Sequence, residues 1–163
     1  MEEVLPPQTR DGAGFEPTQV RQFTIFLENR VGRLQTLVRA LEEEVVQIVG
    51  LAIEESADSA LVRLIRSDPD HGRDALKQAG FTFSESDLLI VELPKRTRQP
   101  MIALCAAMLT AEINIHYAYP LLVRPRGPAL ALYVEDPTLA AQLLIRKGFT
   151  LLGQSDLGTK PPD

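Results

Sequence analysis

The sequence predicts an α+β fold: two ferredoxin-like βαββαβ units in tandem, each an antiparallel sheet with its helices on one face. An internal repeat, a regular alternation of two apolar periodicities, and a length that suits two small units carry this expectation. The chain has 163 residues. Leu34, Leu37, Val38 and Leu41 stand at i, i+3, i+4 and i+7, the apolar stripe of an amphipathic helix, and 67 positions later stand Met101, Leu104, Cys105 and Met108. Asp68-Pro69 returns as Asp136-Pro137, and Gly80-Phe81-Thr82 as Gly148-Phe149-Thr150, both 68 positions on. One residue has therefore been gained between the two blocks.

Each element has its own local cause. Val20 to Glu28 places Phe23, Ile25 and Leu27 at period two and reads as a strand, followed by a helix over Val31 to Glu44. Val45 to Glu54 and Ala60 to Arg66 read as strands joined by the polar turn at Ser56 to Ser59. Asp68-Pro69 starts a helix, with Asp as cap and Pro at the first helical position, where a missing N–H costs nothing. Gly80 ends that helix and Phe81 opens a short strand. The second unit repeats the plan: strand Asp87 to Leu93, helix Pro100 to Ala111, strands Ile113 to Val123 and Ala129 to Glu135, helix Pro137 to Lys147, strand Phe149 to Leu152. The expected organisation is a flexible tail over 1–19, one unit over 20–86, a second over 87–153 and a flexible tail over 154–163. Ser84-Glu85-Ser86 is the short join. Units of this size are marginal alone, so pairing between them is expected.

Composition removes several functions. With 17 Lys and Arg against 22 Asp and Glu, the net charge is -5, the wrong sign for a general binder of nucleic acid. Hydrophobic residues at 45% and charged ones at 24% suit a soluble globular protein. The apolar run Met101 to Leu109 is under half the roughly 20 residues a membrane span needs, so no membrane partner is expected. Residues 1–19 lack the basic start and apolar stretch of a secretory leader. One cysteine and two histidines cannot build a disulfide framework or a Cys/His zinc cage within one chain. A cytoplasmic location and no cofactor or metal are expected.

No catalytic constellation emerges. Cys105 lies in an apolar helix stripe and reads as a buried hydrophobe. His71 falls on a polar helix surface. His116 alternates with Ile113, Ile115 and Tyr117, which places it with Asn114 on the face opposite the core. The acidic run Glu42 to Glu44 opposes the helix dipole and reads as a solvated end or a partner contact. RNA-binding aromatics are missing from Ala60 to Arg66, and Ala129 to Glu135 has only Tyr133.

The loop after the first strand is more informative. Glu28-Asn29-Arg30-Val31-Gly32-Arg33-Leu34 leads from a strand into a helix, with Asn29 suited to capping and Gly32 leaving the backbone accessible. Free N–H groups at a helix start, aided by the dipole, suit a carboxylate, although a capped turn with one glycine is also an ordinary structural element.

This loop, set in two complete βαββαβ repeats, resembles the tandem ACT domain family of amino-acid-binding regulatory modules. The family pattern of Asp or Asn, two residues, Gly, one residue and Leu is matched by Asn29, Gly32 and Leu34. Its Gly-Ile-Asn-Ile-like entry to the second strand is matched by Val45-Val46-Gln47-Ile48 and, more closely, by Glu112-Ile113-Asn114-Ile115. The likeness spans Val20 to Gly153. It implies a ligand loop at Asn29, Arg30, Val31, Gly32, Arg33 and Leu34, faced by Asn114, Ile115 and His116 of the neighbouring unit. The second loop, Lys95-Arg96-Thr97-Arg98-Gln99-Pro100, departs from the pattern, since Arg96 and Gln99 replace the polar cap and the glycine. One amino-acid site per chain is therefore expected.

The resemblance implies a non-catalytic amino-acid sensor, a homodimer that shifts its interaction with a metabolic enzyme. It also resembles the regulatory small subunits of acetolactate synthase, which points to such an enzyme as partner. The alternatives are a structural or protein-interaction module without a small ligand, and a small enzyme with a cleft around Asn114, His116 and Tyr117.

Overall fold

A computed structural model describes residues 19–28, 30–42, 46–123 and 127–158. The first unit comprises β1 (Gln19–Glu28), α1 (Arg33–Leu41), β2 (Ile48–Glu55), β3 (Ser59–Arg66) and α2 (Pro69–Gln78). β4 (Thr82–Glu92) follows, then α3 (Pro100–Thr110), β5 (Ile115–Pro120), β6 (Ala129–Val134), α4 (Pro137–Arg146) and β7 (Leu151–Leu152). Both βαββαβ units are thus present. Glu43, Glu44 and Val45 lie outside the described residues.

The join expected at Ser84-Glu85-Ser86 is instead the middle of one strand. β4 pairs antiparallel with β1 from Thr82↔Phe26 to Leu89↔Gln19. It then continues beside β7, with Ile90↔Leu152 and Val91↔Leu151, while its other edge pairs with β6 from Leu89↔Leu132 to Glu92↔Ala129. The last strand of one unit is the first strand of the next. The two expected four-stranded sheets therefore merge into one of seven strands, ordered β2-β3-β1-β4-β6-β5 with β7 on β4. TFSESDLLIVE contains no Gly or Pro, so nothing in it interrupts extended backbone.

Strand alternation assigns the two faces. Phe23, Ile25 and Leu27 of β1, with Val62 and Leu64 of β3, pack under Leu37 and Leu41 of α1 and Leu76 of α2. Leu89 and Val91, with Leu132 and Val134, pack under Leu104 and Met108 of α3 and Leu144 of α4. The opposite faces bury each other: Val20, Val49 and Ile65 of the first unit meet Tyr119, Leu121 and Ala131 of the second, with Leu88 and Ile90 of β4 between. At roughly 1.5 to 3 kcal/mol per fully buried aliphatic side chain, this shared cluster adds to the small core that each unit has under its helices. The outer strands also meet, where Gly50 bridges Leu121 and the Leu122 N–H donates to the Val49 carbonyl at 2.8 Å. The sheet is closed there.

Helix ends follow their chemistry. Asp68 and Asp136 cap α2 and α4, accepting from the His71 and Leu139 N–H groups at 3.1 and 3.0 Å. α2 and α4 end at left-handed Gly80 and Gly148, whereas α3 ends at Glu112, whose φ is 55°. Arg73 of α2 grips Glu85 of β4 with three contacts between 2.6 and 3.0 Å, holding that carboxyl below its ordinary range through these bonds.

Two expectations are corrected by packing. Gln154–Gly158, assigned to a flexible tail, forms a 3-10 turn. Leu157 is buried, and the Gln154 amide donates to the Arg66 carbonyl at 3.0 Å. Cys105, read as buried, is exposed. Leu104 and Met108 take the sheet-facing positions of that helix, and Met101 and Cys105 fall outside them.

Candidate functional site

The loop between β1 and α1 is built around Gly32, which stands at the cap of α1 with φ 87° and ψ -8°. A Cβ at this position would meet nothing within 4 Å. The glycine is required by the left-handed backbone and not by crowding, a different reason from the accessibility that the sequence suggested. Its carbonyl accepts from the Thr36 N–H and hydroxyl, both at 3.0 Å. Among the described residues no side chain caps α1, in contrast to the Asp-capped α2 and α4. α3 also lacks a side-chain cap, but Pro100 has removed one of its donors. The positive end of a helix dipole therefore falls at the start of α1, where the Arg33 N–H donates to the Arg30 carbonyl at 3.2 Å.

Arg33 stands between two cavities beside this loop. Its guanidinium lies over the Phe81 ring at 5.3 Å, and its Nε is buried with no hydrogen-bond partner among the described residues. One cavity, of about 190 Å³, is lined by Leu27, Arg30, Arg33, Leu34 and Ile53. The other, of about 340 Å³, is lined by Glu28, Arg33, Asp58, Phe81 and Thr82. That volume falls at the lower end of the roughly 300–1,000 Å³ of small-molecule pockets. Arg30 is ion-paired with Glu28, and Val31 points fully into solvent. Asn29 lies outside the described residues.

The other expected wall is elsewhere. Asn114 and His116 are exposed on the approach to β5, and the Asn114 carbonyl accepts from the Glu135 N–H at 3.0 Å. None of Asn114, Ile115 and His116 lines either cavity beside Gly32. Within one chain the two sets are not brought together. The expected alternation also fails locally: the β5–β6 register shifts between Ile115 and Tyr117. Ile115 consequently packs on the helix side of the sheet and Tyr117 on the inner side, where alternation had placed them together.

A polar cluster between the units is the feature that sequence reading missed. Gln22 is fully buried on the inner face of β1. Its Nε2 donates to the Ser86 hydroxyl at 3.0 Å and to the Tyr117 hydroxyl at 2.7 Å, and its Oε1 accepts from the Tyr119 hydroxyl at 2.6 Å. Arg63 of β3 lies 4.1 Å over the Tyr117 ring and donates to Glu54 at 2.7 Å. Tyr133 stacks on the other side of this group, 4.9 Å from Tyr117, and His116 lies 5.6 Å from Tyr133. The amide of one unit is thus satisfied by two phenols of the other. The available signal was Tyr117 and Tyr119 two residues apart on a strand, too common a pattern to single out.

Burial pushes the Tyr119 phenol well above its ordinary value, with Tyr117 adding to this and Arg63 opposing it. A group kept protonated by folding contributes stability below its unfolded value, and that contribution is lost as pH rises. Stability is therefore expected to fall above about pH 10, the ordinary tyrosine value. Tyr119→Phe should make that fall shallower in urea midpoints measured from pH 8 to 11; an unchanged slope would refute the assignment.

Among the described residues, no group of three or more His, Cys, Asp or Glu side chains could hold a metal ion, and no helix is long and apolar enough to cross a membrane. The fold and the loop together define a paired βαββαβ module of regulatory type. The chain belongs to the ACT domain pair family, whose model matches residues 18–160. It is similar to a crystal structure of a Bacteroides thetaiotaomicron protein, at 26% identity and a TM-score of 0.78, over 88% of this chain and 98% of that one. The ligand-free regulatory subunit of aspartate kinase from Thermus thermophilus shares the fold, at 10% identity and a TM-score of 0.54, over 78% and 91% of the two chains. No curated protein matches the chain.

Proposed function

We propose that this protein is a non-catalytic amino-acid sensor, a cytoplasmic homodimer whose ligand is held at the loop from Asn29 to Leu34. The observation that carries the reading is left-handed Gly32 at the start of α1, which no side chain among the described residues caps, in a chain of the ACT domain pair family whose α2 and α4 are both capped by aspartate. The first-turn N–H groups beyond Arg33 take the ligand carboxylate, and the Arg33 guanidinium adds positive charge beside them. Asp58 and Glu28, which line the larger cavity, offer acceptors to the ammonium group. Binding favours the surface arrangement that contacts a metabolic enzyme, so the ligand acts by population shift. Acetolactate synthase-like enzymes are one partner class; the regulatory subunit of aspartate kinase, which shares the fold, supports a role in amino-acid metabolism more broadly.

A thermal-shift screen against the twenty amino acids at millimolar concentration tests this reading. Ligand at a hundredfold over its Kd stabilises by about 2.7 kcal/mol, which raises the Tm of a domain this size by about 5–10 °C. Gly32→Val, forced out of the left-handed region, should abolish the shift, whereas Gly32→Asn, which tolerates that backbone, should keep most of it. No shift with any amino acid would leave the structural-module alternative in its place.

A further inference from the structure

α3 differs from the other helices of the described chain in presenting an almost wholly apolar outer face, with Thr110 as its exposed polar residue. Its sequence PMIALCAAMLT carries no charge. Leu104, Ala107 and Met108 are buried against the sheet, and Met101, Ile102, Cys105 and Leu109 point outward, Leu109 with 78% of its surface exposed. The exposed positions of α1 are Leu34, Gln35, Thr36 and Arg39, and those of α2 include Asp70, Asp74 and Lys77. An apolar stripe of this kind on a surface helix marks a contact surface.

We propose that α3 is the surface through which two copies of this chain associate, packed antiparallel about a two-fold axis beside Cys105. The charges at its ends select this occupant. Exposed Arg98 lies seven residues before Cys105, exposed Glu112 lies seven after it, and neither is ion-paired among the described residues. Arg98 precedes the Gln99 cap and Glu112 follows the Ala111 cap, so antiparallel packing brings the basic end of one helix to the acidic end of its partner, whereas parallel packing sets like charges together. The same register sets Met101 against the partner's Leu109, each four residues from the centre, and the small side chains of Cys105 and Ala106 let the helices approach closely. Glu112 occupies a left-handed position filled by glycine after α2 and α4, so an acid is held at this helix end against backbone preference.

This deepens the homodimer of the reading above by naming its contact surface, and it does not depend on ligand. Cys105 is the sole cysteine of the chain, so thiol cross-linking reports on this contact alone. The full chain, with no amino acid added, is expected to elute as a dimer in chromatography with light scattering, and a short bismaleimide should join it covalently through Cys105. Leu109→Glu, which buries an unpaired charge in each half, should weaken dimerisation by at least about a hundredfold with circular dichroism unchanged. Arg98→Glu should weaken it by about tenfold, and adding Glu112→Arg should restore it. A monomer at micromolar concentration, a dimer that resists cross-linking, or a dimer that Leu109→Glu leaves intact would overturn the proposal. Should Leu109→Glu fail to fold, the charge-swap pair decides, since a swap that does not rescue also overturns it. A silent amino-acid screen leaves this result standing, and a monomeric chain leaves the ligand loop standing.

Discussion

Gln22→Leu is expected to lower the unfolding free energy by about 2–4 kcal/mol, even though leucine fills nearly the same volume. The amide makes three hydrogen bonds, two of them to phenols of the other unit, and it is completely buried. Removing it strands the Tyr119 hydroxyl, itself only 6% exposed, where water cannot replace the lost acceptor. Tyr117 is half-buried and recovers part of its loss from solvent. Tyr119→Phe alone strands the Gln22 carbonyl oxygen and should cost about 1–3 kcal/mol. The double variant should cost clearly less than the two singles together, because both ends of the shortest bond are then apolar. Urea unfolding of the four proteins supplies the cycle. A Gln22→Leu protein within half a kilocalorie of the wild type would mean that the network does not hold the units together.

Gly50→Val tests the other point of contact between the units and should cost about 3 kcal/mol. A Cβ there would already stand 3.2 Å from Ile65 and Leu121 side-chain atoms and 3.3 Å from the Tyr119 ring. Those three groups come from both units and are buried, so none can swing into solvent. Valine adds two methyl groups to a space already tight for one carbon. The least costly relief is to part β2 from β5, which breaks the Leu122 N–H bond to the Val49 carbonyl. Hydrogen exchange at the Leu122 amide should accelerate in Gly50→Val, and Gly50→Ala should fall between it and the wild type. Gly158→Val, where a Cβ meets nothing within 4 Å, should stay within about 0.5 kcal/mol of wild type.

Local chemistry made much of the fold legible. The aspartate caps at Asp68 and Asp136, the glycine stops, the repeat and the inward residues of β1 depend on near neighbours in sequence, and the structure has them in the expected places. What was not legible depends on what covers a face. The sequence Ser84 to Asp87 reads as a polar join, yet Ser86 meets Gln22 and Glu85 meets Arg73, so its polarity serves packing partners distant in sequence. Gln22 stands on the face of β1 opposite Phe23 and Ile25, and alternation cannot tell a face open to water from one covered by a second unit. The register shift between Ile115 and Tyr117 inverted the facing of the strand beyond it, and one such irregularity defeats any period-two argument. Cys105 was drawn into a stripe by its spacing. In a helix apolar all round, spacing does not show which face is the inner one.

The shared strand β4 also determines how the molecule can move. Thr82 at its start lines the cavity beside Arg33, and Glu92 at its end leads directly towards α3, so the 11-residue strand spans about 36 Å at about 3.3 Å per residue. It contains neither glycine nor proline and is paired on one edge or both along its length. A chain built in this way has no elbow at which its halves could open and close like jaws. The strand thus joins the two halves as one continuous rod, and the angle between them is held by its pairing.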